Sequence, residues 1–180
     1  MSKVTPETRV NLDRSVVLLI DDNPQALDIL SSVVQGFGVR DQIKCGSALD
    51  AVEVVKRRPA DLILVDCGMP EMDGFDFVKW LRCEAGEPLC HTPVIMLTGH
   101  ASRNHVEKSR DCGASFVVTK PLTPSILLQR IVWLSRDERS FVKCDAYTGP
   151  DCRVRNQGPP LDMPGRRTGD LSAHSARLRK

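Results

Sequence analysis

The sequence predicts an α/β domain in which a parallel sheet is covered by helices on both faces. Three observations carry this. First, five short apolar runs alternate with segments of helical periodicity, joined by short connections. Second, Val16–Ile20 and Leu62–Val65 are unbroken branched apolar stretches of strand length, as strands buried on both faces require. Third, these runs stop at polar residues (Asp21-Asp22, Asp66, Thr98, Lys120), and open parallel sheets place their chemistry at the carboxyl ends of strands.

The elements follow in order. Residues 1–13 are a polar lead-in. After Val16–Ile20, Asn23-Pro24 offers a helix cap and a first-turn proline, and Leu27, Leu30 and Val34 share one helical face. Gly36 and Gly38 stop that helix. Val39–Cys45 is a weaker strand. Ser47 caps a helix carrying Leu49, Val52 and Val55, which ends before Pro59. Asp61–Val65 is the third strand; after Asp66, Gly68, Pro70 and Gly74 force a loop. Asp73 caps a helix with Phe75, Val78 and Leu81 facing inward. Pro93–Leu97 is the fourth strand. The helix over 101–112 is strongly polar, has Val106 as its main apolar anchor, and is expected to pack least firmly. Phe116–Val118 is the last strand, and Thr123-Pro124 starts a final helix with Leu127, Ile131 and Leu134 on one face. Residues 14–137 therefore form the domain.

Composition bounds the rest. In 180 residues, 41% hydrophobic and 4% aromatic, the core must be aliphatic. Nine basic and four acidic residues fall from Arg139 onward, a net +5 that leaves −3 for residues 1–138. Gly149-Pro150, Gly158-Pro159-Pro160 and Pro164-Gly165 cannot supply a second core. Residues 138–180 read as a basic, mostly disordered tail whose first part, around Phe141 and Tyr147, can dock. The seven cysteines form no C-x-x-C pair and read as reduced thiols used as small hydrophobes. Cys83, Cys90 and His91 come nearest to a metal cluster but lack a paired ligand set. Cys67, beside Asp66, reads as a packed thiol in preference to a redox group. The run Val16–Ile20 is too short for a signal core or a membrane span.

The chemistry follows from gathering four strand ends on one edge. Three carboxylates brought together resist ionisation and need a compensating cation. A divalent ion with hard oxygen ligands, Mg²⁺ above all, suits them, and Lys120 adds a fixed positive charge. A carboxylate in such a site can accept a phosphoryl group, with cations stabilising the charge in transfer and a hydroxyl such as Thr98 bonding a phosphate oxygen. No general base is needed, because the nucleophile is already ionised at neutral pH.

Asp21-Asp22, Asp66 with Met69-Pro70 and Met72-Asp73-Gly74, Thr98-Gly99 and Lys120-Pro121 together resemble the receiver domain of bacterial two-component response regulators, over roughly residues 14–137. The resemblance implies a doubly wound, CheY-like (flavodoxin-like) five-stranded sheet of order 2-1-3-4-5. It implies that Asp66 is the phosphoacceptor, served by a sensor histidine kinase. Asp22, Asp66 and the Gly68 carbonyl would bind Mg²⁺ directly, and Asp21 through water. Lys120 would pair with Asp66 and then with its phosphate. Thr98 would move toward the phosphate and remodel the face made by the fourth helix, fifth strand and fifth helix, where a downstream protein binds. One departure stands out: the inward-swinging aromatic of many relatives is replaced by Val117, with Phe116 one residue earlier. Gly68 and His100 fall where relatives tune phosphate lifetime; His100 either contacts the phosphate or faces solvent.

The expected function is a cytoplasmic, stand-alone phosphorylation switch, a phosphoacceptor and not a turnover enzyme. A phosphorelay shuttle to a histidine phosphotransfer protein is the near alternative. A dehalogenase-type phosphatase would need an acid at the position of Gly68. A nucleic-acid regulator acting through the basic tail is the remaining class, weakened by the scarcity of aromatics there.

Overall fold

The computed structural model describes residues 11–99, 103–137, 139–144 and 147–151. Five strands, β1 (Val16–Ile20), β2 (Asp41–Cys45), β3 (Leu62–Asp66), β4 (Val94–Thr98) and β5 (Phe116–Thr119), form one parallel sheet of order β2-β1-β3-β4-β5. Helices α1 (Pro24–Gly36), α2 (Ala48–Arg57), α3 (Gly74–Cys83), α4 (Arg103–Asp111) and α5 (Pro124–Leu134) connect and cover it. A short 3-10 turn, Leu89–His91, precedes β4.

Alternation along the strands divides the core in two. Leu18, Ile20, Ile63, Val65 and Met96 face α2 and α3, with Phe77, Val78 and Leu81. Val17, Leu19, Leu64, Ile95, Leu97 and Val118 face α1 and α5, with Leu27, Leu30, Val34, Leu127 and Ile131. Every residue of β3 and β4 is buried, as unbroken apolar runs in a two-sided sheet must be.

The four predicted caps all form. Asn23 accepts from the Gln25 and Ala26 amides, Ser47 from Asp50, Asp73 from Asp76 and Thr123 from Ile126. Gly38 has φ +95°, a left-handed conformation that lets the chain turn back after α1. The inner face of α2 differs from the expectation. Ala48, Ala51 and Val55 are buried, and Leu49 is 49% exposed, because the buried face is set one residue earlier at its first two positions than the Leu-Val-Val spacing suggests. In α5 the buried third residue is Val132, with Leu134 only partly covered. In α4 the Val106 side chain lies outside the described residues; Ser109 is fully buried, and Cys112 and Ala114 join the core just beyond the helix.

Ordered chain continues past residue 137. Strands β6 (Phe141–Cys144) and β7 (Tyr147–Pro150) pair as an antiparallel hairpin. It packs at the end of the sheet opposite the strand carboxyl ends. Phe141 lies against His91 and beneath the Arg82 guanidinium, and Thr148 and Gly149 press on Gly113. The first part of the tail, around Phe141 and Tyr147, which the sequence suggested can dock, is thus a hairpin with its own ladder; residues 152–180 lie outside the described residues. Arg139 leads the chain there. It forks onto Asp137, stacks over Trp133 and donates to the Ser115 carbonyl.

Arg82 is the main buried charge outside the strand carboxyl ends. It is 2% exposed, donating from Nε to the Gly113 carbonyl at 2.9 Å and from Nη1 to those of Cys90 and Thr92 at 2.6 and 2.8 Å. Burial pulls its pKa down to about 10. It ties α3, the 3-10 turn and the start of β5 into one unit on which the hairpin rests.

Candidate functional site at the strand carboxyl ends

Four strands deliver the predicted groups to one edge. β1 ends before Asp21, β3 ends in Asp66, β4 in Thr98, and β5 leads into Lys120, whose amide donates to the Thr98 carbonyl at 2.7 Å. Asp21, Asp66 and Thr98 are buried, at 2%, 8% and 2% exposure, while Asp22 is exposed.

Lys120 holds the centre. Its Nζ lies 2.6 Å from Asp66 Oδ1 and 2.8 Å from Asp21 Oδ2. Burial works against its charge, but the hydrogen bonds and charges of both carboxylates outweigh that, and its pKa is raised. The Asp66 pairing follows the expectation; the equally close Asp21 contact does not appear in it. Asp66 Oδ2 accepts from the Gly68 amide at 2.6 Å, and Asp21 Oδ1 from the Asn23 amide at 3.0 Å. Both amides belong to turns that follow the strands, and neither could be named from side-chain chemistry.

The loop after Asp66 folds back on its own strand. The Gly74 amide donates to the Cys67 carbonyl at 3.2 Å, and a Cβ on Gly74 would stand 2.2 Å from the Asp66 carbonyl oxygen. A side chain is excluded there. Gly68 is different: its nearest neighbour would be Asp66 Oδ2 at 3.6 Å, so the approach to the carboxylate is open. Asp73 is occupied as the α3 cap and stays outside the acidic set.

Asp21, Asp22 and Asp66 against one lysine leave a net charge near −2 in a set of hard oxygen donors. That arrangement suits a divalent cation, which Asp22, Asp66 and the Gly68 carbonyl could hold. A nucleophilic carboxylate beside a fixed ammonium and a cation can accept an electrophilic, anionic group such as a phosphoryl.

The departure at β5 resolves structurally. Phe116 belongs to the α1/α5 face, edge-on to Trp133 at 4.8 Å between centroids and covered by Arg130 and Arg139. It is held away from the acidic edge, and Val117 takes the other side of the strand. His100 lies outside the described residues. Of the distant thiol and imidazole group, Cys83 drops out; Glu87, Cys90 and His91 have donors within 4.8 Å of one another. The Arg82 guanidinium on the Cys90 carbonyl sets a fixed positive charge beside them, which opposes a cation. Among the described residues, no helix is long and apolar enough to cross a membrane.

Comparison with known proteins agrees with this architecture. Residues 17–132 match the model of the response regulator receiver domain. The chain is 29% identical over 115 residues to the polar-differentiation response regulator DivK of Brucella ovis, covering 64% of this chain and 91% of that one. It superposes on the chemotaxis response regulator CheY4 of Vibrio cholerae with a TM-score of 0.59 and 29% identity, covering 68% of this chain and 97% of the other. The receiver domain of the Arabidopsis thaliana histidine kinase CKI1, solved with Mg²⁺, shares the fold with a TM-score of 0.60 at 24% identity, over 67% and 93% of the two chains. With its five-stranded sheet and acidic edge, the chain belongs to the response regulator receiver domain family.

Proposed function

We propose that this receiver, over residues 14–137, is a phosphorylation switch in which Asp66 is the phosphoacceptor. An Asp66 carboxylate oxygen attacks the phosphorus of a phosphohistidine on a sensor kinase or phosphotransfer protein. The new O–P bond forms as the P–N bond breaks, and the imidazole leaves with its electron pair. The observation that carries the reading is the placement of Asp66, buried at the end of β3, with Lys120 2.6 Å away inside a carboxylate set of net charge near −2. Mg²⁺, held by Asp22, Asp66 and the Gly68 carbonyl with Asp21 behind, would neutralise phosphoryl charge during transfer. Lys120 then follows the phosphate, and Thr98 turns toward it. The output is a protein partner on the α4-β5-α5 face, where Ile126 and Trp133, both 41% exposed, stand two turns apart on α5. The reading is a cytoplasmic one, because phosphohistidine donors draw on ATP.

Intact-mass spectrometry after incubation with Mg²⁺ and acetyl phosphate tests this. A single phosphate adduct is expected, dependent on Mg²⁺ and lost in Asp66→Ala. An adduct that survives Asp66→Ala overturns the assignment.

A further inference from the structure

Neither β5 nor α5 contains an Asp or Glu, and Ile126, Arg130 and Trp133 share one face of α5. Ile126 and Trp133 are each 41% exposed. The Arg130 guanidinium lies over the Phe116 ring at 5.4 Å. Its Nε is buried without a hydrogen-bond acceptor, and among the described residues no carboxylate comes within ion-pair distance of it. The first acid after the helix, Asp137, is already claimed, accepting from the Arg139 amide, Nε and Nη2 at 3.1, 2.9 and 2.7 Å. Arg139 in turn stacks on Trp133 at 4.8 Å, and Phe116 meets the same ring edge-on. The indole is thus held from two sides while much of it stays open to solvent.

This face carries a positive charge without a counter-charge, between two apolar side chains. An occupant that fits brings a pair of acceptor oxygens for a planar guanidinium and an apolar side chain beside them. A second copy of this chain does not, because a two-fold contact through the face sets Arg130 near Arg130 with no acid in β5 or α5 to offset them. Nucleic acid fits less well, because one unpaired guanidinium among apolar neighbours is not a track of cations along a phosphate backbone. We propose that the α5 face centred on Arg130 binds an acidic segment of a partner protein, whose Asp or Glu pairs with the Arg130 Nη groups while an adjacent apolar side chain rests on Trp133 or Ile126. The proposal rests on the phosphorylation-switch reading above and adds to it the chemistry of the partner that the output face selects. Phosphate on Asp66 sets when the face is in its binding arrangement; Arg130 and Trp133 set what it binds.

The test is a display selection of random peptides on the full chain, kept in Mg²⁺ and acetyl phosphate throughout. The recovered peptides should carry Asp or Glu close to a large apolar residue. Their binding, read by fluorescence anisotropy, should weaken about tenfold in Arg130→Gln, which keeps a side chain over Phe116, and in Trp133→Ala. Selection on Arg130→Glu should recover basic peptides instead, a reversal that lost packing does not produce. Neutral or basic peptides from the unsubstituted chain, acidic peptides that Arg130→Gln binds equally well, or an empty selection overturn the proposal. So does binding of double-stranded DNA, or self-association of the chain, in place of acidic peptides and lost in Arg130→Gln. Repeating the binding on Asp66→Ala separates the two readings. Arg130-dependent binding that is equal with and without the Asp66 phosphate supports the docking site and overturns its control by the switch. Absence of any Asp66-dependent adduct in the unsubstituted chain overturns the phosphoacceptor reading itself.

Discussion

Gly113 and Gly149 meet backbone to backbone: a Cβ on Gly149 would lie 2.7 Å from the Gly113 Cα, and one on Gly113 would lie 2.3 Å from the Thr148 carbonyl oxygen. Gly113 also has φ +91°, so a side chain there is strained as well as crowded. The hairpin is thus seated by the absence of two side chains. Gly149→Val should unseat it at a cost of roughly 1–3 kcal/mol, typical of overpacking. Tyr147, the chain's one tyrosine, supplies the probe. Its ring resonances should shift toward random-coil positions in Gly149→Val while the sheet's amide signals stay in place. Unchanged tyrosine shifts would show that the hairpin does not depend on this contact.

The same steric reasoning separates two glycines beside Asp66. Gly74→Ala forces a Cβ against the Asp66 carbonyl oxygen and must displace the loop or the start of α3. Gly68→Ala places its Cβ at ordinary contact distance from Asp66 Oδ2. We expect Gly74→Ala to lower stability by roughly 1–3 kcal/mol, and to depress acetyl phosphate labelling of Asp66. Gly68→Ala should stay within about 0.5 kcal/mol of the unsubstituted protein. Urea melts paired with mass spectrometry check both, and equal behaviour of the two variants would refute the distinction.

The alternation of strands and helices, the caps and the gathering of Asp21, Asp66, Thr98 and Lys120 at strand ends were legible because each depends on local pattern, whereas the strand order came only with the resemblance to receiver domains. Unbroken apolar runs mark two-sided strands, and Asn, Ser, Asp and Thr before periodic segments mark helix starts. What stayed hidden depends on the third dimension. The Lys120–Asp21 contact joins residues 99 apart, and nothing in either segment announces it. Nothing in the sequence around Arg82 marks it for burial; that is fixed by the carbonyls of Cys90, Thr92 and Gly113, which only the folded chain brings to it. The hairpin was obscured by Gly149-Pro150, which reads as a breaker in a free chain but serves here as the close-packed end of β7.

Lys120 compensates two buried carboxylates at once, so removing it leaves the site about one charge more negative. Lys120→Met should therefore bind Mg²⁺ more tightly, by about tenfold if the lost repulsion is near 1.4 kcal/mol, a modest share of a close charge pair at the protein surface. Switching should fail although the adduct still forms, because Lys120 would no longer follow the phosphate. Calorimetric titration with Mg²⁺ reads the first effect. Weaker binding would show that Lys120 positions the carboxylates more than it competes with the ion.

Stability should fall at alkaline pH, and the buried thiols fix where. Burial pushes Cys45 and Cys112 to about 11 and Cys67 to about 12, against an ordinary value of 9.0. Between pH 9 and those values the unfolded chain has released protons that the folded chain retains, so unfolding is favoured as pH rises. Each thiol contributes a slope of about 1.4 kcal/mol per pH unit across that window, and its contribution is intact below pH 9. Lys120 acts in the same direction at higher pH: its raised pKa stabilises the fold below the ordinary value of 10.5 and is lost above the folded one. Thermal melts should be flat from pH 7 to 8.5 and drop steeply from pH 9. Cys112→Ala should make that drop shallower by one thiol's slope, whatever it does to stability at pH 7. A drop of unchanged steepness in Cys112→Ala would mean that this thiol ionises in the folded state as readily as in the unfolded one.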